Sequence, residues 1–232
     1  MIFLISKFLL THGPLNSLFF MRASNRVVLA SSNLHKFLEF RQLLLDFPEI
    51  ELVPAHELLR NADKIGKVEQ GLTYEENSAA KARLTNQGTH YPSLADDSGL
   101  EIASLEGRPG VRSARYALPR AGETQDQANI KKLMQELHNK RGDDRNAQFV
   151  CVLSLAMEGV LIHAKGVLKG RILDAPRGQG GFGYDPIFVP EGDTRTLAEL
   201  DAAEKNRISH RARALQELLR QLQVRGMNLA KP

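Results

Sequence analysis

Two long apolar runs stand side by side in the middle of the chain, Ala147–Met157 and Val160–Leu168, separated only by Glu158-Gly159. A two-residue polar spacer ending in glycine, between runs of β-type residues, predicts a long antiparallel hairpin. That hairpin constrains the fold more than any other feature. The segments before it mix strands and helices as parallel α/β units do, but a hairpin of this length belongs to an antiparallel ladder. The sheet is therefore expected to be mixed, which argues for an α/β fold and against a doubly wound dinucleotide domain.

The remaining elements follow from periodicity and end signals. Arg26–Ala30 reads as a buried first strand. It runs through Ser31-Ser32-Asn33 into a helix carrying Phe37, Phe40, Leu43 and Leu44 at helical spacing. A short strand is expected over Glu51–Val53. Thr73 with Glu76, and Thr124 with Gln127, form capping boxes that start two further helices. The first runs to about Asn86, and the second buries Ile130, Leu133, Met134 and Leu137. Ser93–Asp96 and Leu100–Ser104 are predicted as strands flanking a turn at Asp97-Ser98-Gly99. A glycine-dense loop, Arg177–Tyr184, leads to a strand Ile187–Val189. A last helix, Ser209–Gln223, is expected to bury Ala212, Leu215, Leu219 and Leu222.

With 42% hydrophobic and 25% charged residues in 232, the chain has the make-up of a soluble packed globule. The net charge of +4 suits an anionic ligand but is too small to announce a nucleic-acid binder, and scattered solvated lysines and arginines explain it equally. The single cysteine, Cys151, excludes an intrachain disulfide and a cysteine-rich zinc site. Set in the apolar run 149–153, it reads as a buried inert thiol, a pattern that fits a cytoplasmic protein. Met1–Leu10 and Leu18–Phe20 are apolar, but Thr11-His12-Gly13-Pro14 divides them. Neither reaches the roughly 20 residues of a membrane helix. Lys7 interrupts the first run where a signal peptide would carry its charge earlier. The expectation is an N-terminal tail over 1–23, either an over-extended start or a loose segment, with Met21 just before the first strand; a targeting segment is the alternative. A single domain over 24–226 and a short C-terminal tail, 227–232, follow.

Four islands carry more polar residues at element ends than packing requires. Ser31-Ser32-Asn33-Leu34-His35-Lys36 sits between a strand and a helix, where backbone amides and a lysine would hold phosphate oxygens, or where Asn33 is a plain cap. In the second island Thr73, Asn77 and Lys81 share a helix face. Glu69 and Glu76 offer oxygens to magnesium, although the capping box already explains Glu76. The third, Leu94–Leu100, holds adjacent carboxylates that point to opposite faces of a strand, so one can orient the loop while the other binds metal or takes a proton from water. Asp-Ser-Gly is also an ordinary turn tripeptide. The fourth joins Gly178–Pro186 to Lys205 and Ser209-His210-Arg211. Glycines on both sides of Phe182 leave its ring open to a flat ligand, and Asp185 offers an acceptor to a ring N–H. His210 and Arg211 offer donors, and their positive charge at a helix start opposes the helix dipole.

In this order the islands resemble the family of inosine/xanthosine triphosphate pyrophosphatases, from about Arg26 to Leu222. The resemblance rests on Ala30–Lys36, Glu76-Asn77 with Lys81, Ala95–Leu100, Gly107–Tyr116, Gly180–Pro186 and Ser209–Arg211. It implies an elongated α/β fold with a long mixed sheet, two lobes around a nucleotide-binding cleft, and a homodimer. It also implies magnesium-dependent hydrolysis of a purine nucleoside triphosphate between the α and β phosphates. By motif position, Ser31, Ser32, Asn33, Leu34, His35 and Lys36 hold phosphate. Glu69 and Asp97 bind Mg2+, and Asp97 is the proton acceptor. Lys81 neutralises phosphate charge. Ser98, Phe182, Gly183, Tyr184, Asp185, Lys205, His210 and Arg211 contact the nucleotide. The chain departs from the family at Ser32, where a glycine is usual, and at Val68, where a second glutamate often stands. Two other readings remain: a pyrophosphatase for other modified nucleotides, such as pyrimidines, and a basic single-stranded nucleic-acid module using Phe182 and Tyr184. The acidic pair Asp96-Asp97 argues against the second, and no nucleic-acid or membrane partner is expected.

Overall fold

The computed structural model describes residues 25–157 and 159–227. The expectations for the 1–23 tail, for the hairpin residue Glu158 and for 228–232 lie outside the described residues.

Strand β1, Arg26–Leu29, is followed by helix α1, Leu34–Leu43, and strand β2, Glu51–Pro54. Helices α2, Ala55–Leu58, and α3, Tyr74–Thr89, lead to β3, Ser93–Ile102. Residues 103–124 form loops and 3-10 turns, including Gly110–Arg115, before α4, Gln125–Glu136. The hairpin β4, Asn146–Met157, and β5, Val160–Ile172, comes next. It is followed by β6, Phe188–Pro190, and helices α5, Ala202–Ile208, and α6, His210–Val224. The six strands form one sheet in the order β2-β1-β3-β4-β5-β6. β1 pairs parallel with β2 and β3, while β3, β4, β5 and β6 pair antiparallel in turn. The long mixed sheet with flanking helices is thus the expected one, and both capping boxes form with reciprocal hydrogen bonds.

The predicted turn at Asp97-Ser98-Gly99 does not exist. β3 runs straight through it, pairing Asp96 with Leu153, Asp97 with Val152, Ser98 with Cys151 and Gly99 with Val150. Turn propensity is a local preference, and an unbroken ladder against the apolar β4 overrides it. Gly99 is needed for a different reason: a Cβ there would collide with the Gly110 carbonyl oxygen and the Tyr74 hydroxyl. Smaller corrections concern Ile187, which lies in a 3-10 turn before β6, and Leu218, which takes the fully buried place expected for Leu219. Helix α5 was not expected, although Asp201 and Glu204 form a third capping box.

Alternation along β1 sends Val27 and Leu29 to one face and Val28 and Ala30 to the other. Helices α1 and α6 cover the first face, where Phe40, Leu153, Leu155, Leu215 and Leu218 pack. Against the second, Ala82 of α3 meets Ala95 and Ala156. A separate cluster at the far end of the sheet joins Leu100 and Ile102 to Leu133, Phe149, Leu168 and Phe188. Each such side chain stabilises the fold by about 1.5–3 kcal/mol when buried. Along β3, Leu94 belongs to the first cluster and Leu100 to the distal one. The polar stretch between them, Asp96 to Gly99, falls where the two cores part.

Candidate active site

A cavity of about 340 Å³ opens at that parting. It is lined by Asn33 and Lys36 from the start of α1, by Glu69, and by Asp97 and Ser98 of β3. Phe182–Asp185 of the glycine-rich loop and His210-Arg211 of α6 complete it, with Val111, Ser113, Ala114, Arg115, Gln125, Asp126, Asn129 and Phe149 also on its walls. A larger depression of about 750 Å³, around Glu101, Gln148, Lys169 and Arg171, holds none of the catalytic, metal or substrate-binding residues expected from the sequence.

The two carboxylates of β3 face opposite ways. Asp96 is fully buried; its Oδ2 accepts from the Ser98 hydroxyl at 2.7 Å and pairs with Lys36 Nζ at 3.0 Å. Arg211 Nε lies 3.4 Å from the same oxygen, an ion pair without hydrogen-bond alignment. Burial alone would raise the Asp96 carboxyl, but Lys36, Arg211 and Lys81 together hold it well below the usual range. Asp97, one residue on, has Oδ2 bonded to the Asn77 amide at 2.9 Å and joins no ion pair among the described residues. Burial pushes its carboxyl upward, outweighing Lys81, Asn77 and Lys36, and the charge of Glu69 adds to the rise. Helix α3 supplies both Asn77 and Lys81 from one face, one turn apart, as the spacing predicts.

Lys81 is buried and donates to the Asp96 carbonyl oxygen at 2.7 Å and to Glu69 Oε1. The other Glu69 oxygen lies 3.4 Å from Arg115 Nη1, whose Nη2 donates to the Glu69 carbonyl at 3.2 Å.

At the opposite end Phe182 lies beneath two cations, with Lys205 Nζ at 5.0 Å and Arg211 Cζ at 5.1 Å from its ring centre. Asp185 holds the loop: its Oδ2 accepts from the Phe182 amide at 2.8 Å and from Lys205 at 2.7 Å. A side chain at Gly181, whose φ is +70°, would strike that same carboxylate. Asp185 is therefore already engaged within the protein, a role its sequence setting did not suggest. Tyr184 is buried, and its hydroxyl donates to the Ser113 carbonyl oxygen at 2.9 Å, so it braces the cavity wall. His210 is buried flat against Phe149, with ring centres 4.8 Å apart. Burial, reinforced by Arg211 and Lys205, lowers its pKa well below the ordinary value and keeps the imidazole neutral.

The first island divides. Asn33 caps α1 by accepting from the Lys36 amide at 3.2 Å, and the Ser31 hydroxyl accepts from the Asn33 amide at 3.2 Å. Ser32 and Leu34 are exposed. His35 stacks on Phe182 at 5.2 Å and so touches the far end of the cavity. Ser32 in place of glycine costs no backbone strain, since among the described residues only His90 and Glu106 are non-glycine residues with positive φ.

Sequence reasoning missed Glu39. Its carboxylate receives Lys205 at 2.6 Å and Arg211 at 2.9 Å. Burial would raise it, but these two cations bring it below its ordinary value. A glutamate three residues after Lys36 in an amphipathic helix looks like any surface carboxylate, and no local pattern marks it. Asn129 was also missed. It is buried on α4, and its amide donates to the Ser113 and Ala114 carbonyls while its oxygen accepts from the Ala117 amide.

Known proteins resemble the chain over most of its length. A profile described as the Ham1 family matches residues 27–221. The chain is similar to the dITP/XTP pyrophosphatase of Oceanobacillus iheyensis, 42% identical over 196 residues that cover 83% of this chain and 95% of that one. Among solved structures it is similar to the Staphylococcus aureus Ham1 protein, with a TM-score of 0.72 and 37% identity over 86% of this chain and 99% of that one. It is also similar to a HAM1 protein from Coxiella burnetii, with a TM-score of 0.71 and 42% identity over 85% and 98%.

Proposed function

The chain belongs to the Ham1 family, and from that footing we propose that it hydrolyses inosine, deoxyinosine and xanthosine triphosphates to the monophosphate and pyrophosphate. One observation carries the reading. A single cavity joins an aromatic ring under two cations at one end to a buried carboxylate at the other that has no ion-pair partner among the described residues.

Phe182 offers its face to the purine, with His35 stacked on the ring in the free protein. Arg211, which has only donors, meets the carbonyl oxygen at the six position of these purines; the amino group of adenine would leave donor facing donor. Glu39 and Asp96 hold the guanidinium from both sides. Lys36, beside Asp96 at the cavity wall, neutralises phosphate oxygens, and the buried Lys81 adds positive charge from behind Glu69.

The donor set fits magnesium. Among the described residues no group of three or more His, Cys, Asp or Glu side chains is placed to cage a metal. Asp97 and Glu69 line the same cavity, and Mg2+ ordinarily takes one or two carboxylates and completes its shell with water and substrate phosphates. The proton affinity that Glu69 adds to Asp97 is a repulsion that a cation between them relieves. Bound there, the ion would offset charge on the phosphates and make a water molecule more acidic. The residue placed to take a proton from water is Asp97. Its raised proton affinity brings it closer to the working pH of a base, and Asn77 fixes the direction of its carboxylate. We read the protein as cytoplasmic, in keeping with its single buried cysteine, and as the homodimer that the resemblance implies, which sedimentation equilibrium tests.

A panel of nucleoside triphosphates assayed with and without Mg2+ tests the proposal. Inosine and xanthosine triphosphates should give monophosphate and pyrophosphate in one step, only with metal. Release of orthophosphate with a diphosphate product would overturn it.

A further inference from the structure

We propose that Arg115 is a phosphate-binding residue that Glu69 detains in the free protein, and that Glu69 exchanges it for the metal when substrate enters. The inference rests on Glu69 being a metal ligand.

Both oxygens of the Glu69 carboxylate face cations, Lys81 on one and Arg115 on the other. The two cations differ in freedom. Lys81 is buried and also tied to the Asp96 carbonyl at 2.7 Å, so it has nowhere else to go. Arg115 ends the 3-10 turn Gly110–Arg115, its side chain is 50% exposed, and it lines the cavity. Its contact to the Glu69 carboxylate, at 3.4 Å, is long beside the 2.7–2.9 Å usual when both partners are charged, and its other bond, at 3.2 Å, is to the backbone carbonyl. A guanidinium so held is easily traded, and its fork suits phosphate oxygens in a way a point charge does not.

Charge favours the exchange. Lys81 and Arg115 over-neutralise the Glu69 carboxylate, and with Asp97 on the same cavity the four groups sum to zero, so a divalent cation arriving alone meets no net negative charge. A triphosphate arriving with the metal reverses the balance. The carboxylate then turns to the metal, and Arg115 follows the phosphates. Arg115 therefore competes with free metal and cooperates with bound phosphate.

These roles have opposite signs in one variant. Arg115→Gln should bind Mn2+ alone several-fold more tightly than wild type, measured by electron paramagnetic resonance or calorimetry. The same variant should bind magnesium pyrophosphate about tenfold more weakly, the loss expected for one charge-assisted hydrogen bond. Arg115→Lys should recover part of the pyrophosphate affinity, and melting curves establish that both variants fold. Unchanged affinity for both probes, or a shift of both in the same direction, overturns the proposal. Glu69→Gln separates the two layers. Wild-type Mn2+ binding in that variant sinks the metal-ligand reading and the exchange with it. Weakened Mn2+ binding there, beside an Arg115→Gln protein that matches wild type with both probes, sinks only the role given to Arg115.

Discussion

At the end of the cleft that holds Phe182, buried charges alternate in sign from Lys36 through Asp96, Arg211, Glu39 and Lys205 to Asp185, with each neighbouring pair within 3.4 Å. At the other end Asp97 is buried among Asn77, Lys81 and Glu69 but has no ion pair of its own among the described residues. The two carboxylates that open these two settings are consecutive residues of one strand. Asp96 is driven below the ordinary carboxylate range and Asp97 above it, so environment alone has separated them. One end is a balanced scaffold that fixes Arg211 before a ligand arrives. At the other, both nearby cations are bound to Glu69, and Asp97 has none of its own among the described residues; such a buried carboxylate marks a place where a cation or a proton belongs.

Substituting the two carboxylate settings in turn tests that contrast most severely. Asp97→Asn should lower turnover by about 10²–10⁴-fold, since an amide takes no proton and is a poor metal ligand. Its stability should stay level or rise. A carboxyl whose folded pKa is raised stabilises the fold only below its unfolded pKa, and that contribution is lost as pH climbs through the folded value. At neutral pH the ionised form is therefore a liability that asparagine removes. Thermal melts showing a large loss in this variant would place Asp97 in the scaffold instead.

Arg211→Ala should behave oppositely in stability, destabilising by about 3 kcal/mol because it strips a cation from buried Glu39 and Asp96. It should also cut kcat/KM for inosine triphosphate much more than for adenosine triphosphate, narrowing their ratio. Equal losses on both nucleotides would move base recognition away from Arg211.

The gentlest test uses His210, a neutral imidazole inside the balanced end. Its folded pKa lies well below 6.5, so its contribution is complete above the unfolded value and falls away on acidification. Stability should decline below about pH 6.5 by up to ~1.4 kcal/mol per pH unit, and His210→Gln should flatten that slope. An unchanged slope in denaturant titrations would assign the decline to another group.

How much of this could be read from the chain depended on the range of the interaction. Capping boxes at Thr73 and Thr124 and the 147–168 hairpin are local, and they fold as their sequences predict. Asp97-Ser98-Gly99 was misread because its turn preference is local while its ladder partners lie 51 to 55 residues away. Glu39 was missed for the same reason carried further: its partners Lys205 and Arg211 stand 166 and 172 residues along the chain. The residues with a chemical signature of their own, such as Lys36, Glu69 and Phe182, do line one cavity. Glu39 and Asn129, which brace the site from α1 and α4, had no signature to find.

Cys151 pairs with Ser98 in the ladder, on the strand next to the two carboxylates, and is fully buried. Burial, with the nearby Asp96 charge adding to it, pushes its thiol up to about 12. A disulfide reagent therefore finds no reactive thiolate while β3 and β4 stay together. As the chain has no other cysteine, the protein carries its own clock. The rate at which the native enzyme consumes such a reagent counts how often the strand bearing its acid residues comes away from its neighbour, and a tightly held nucleotide should slow the count.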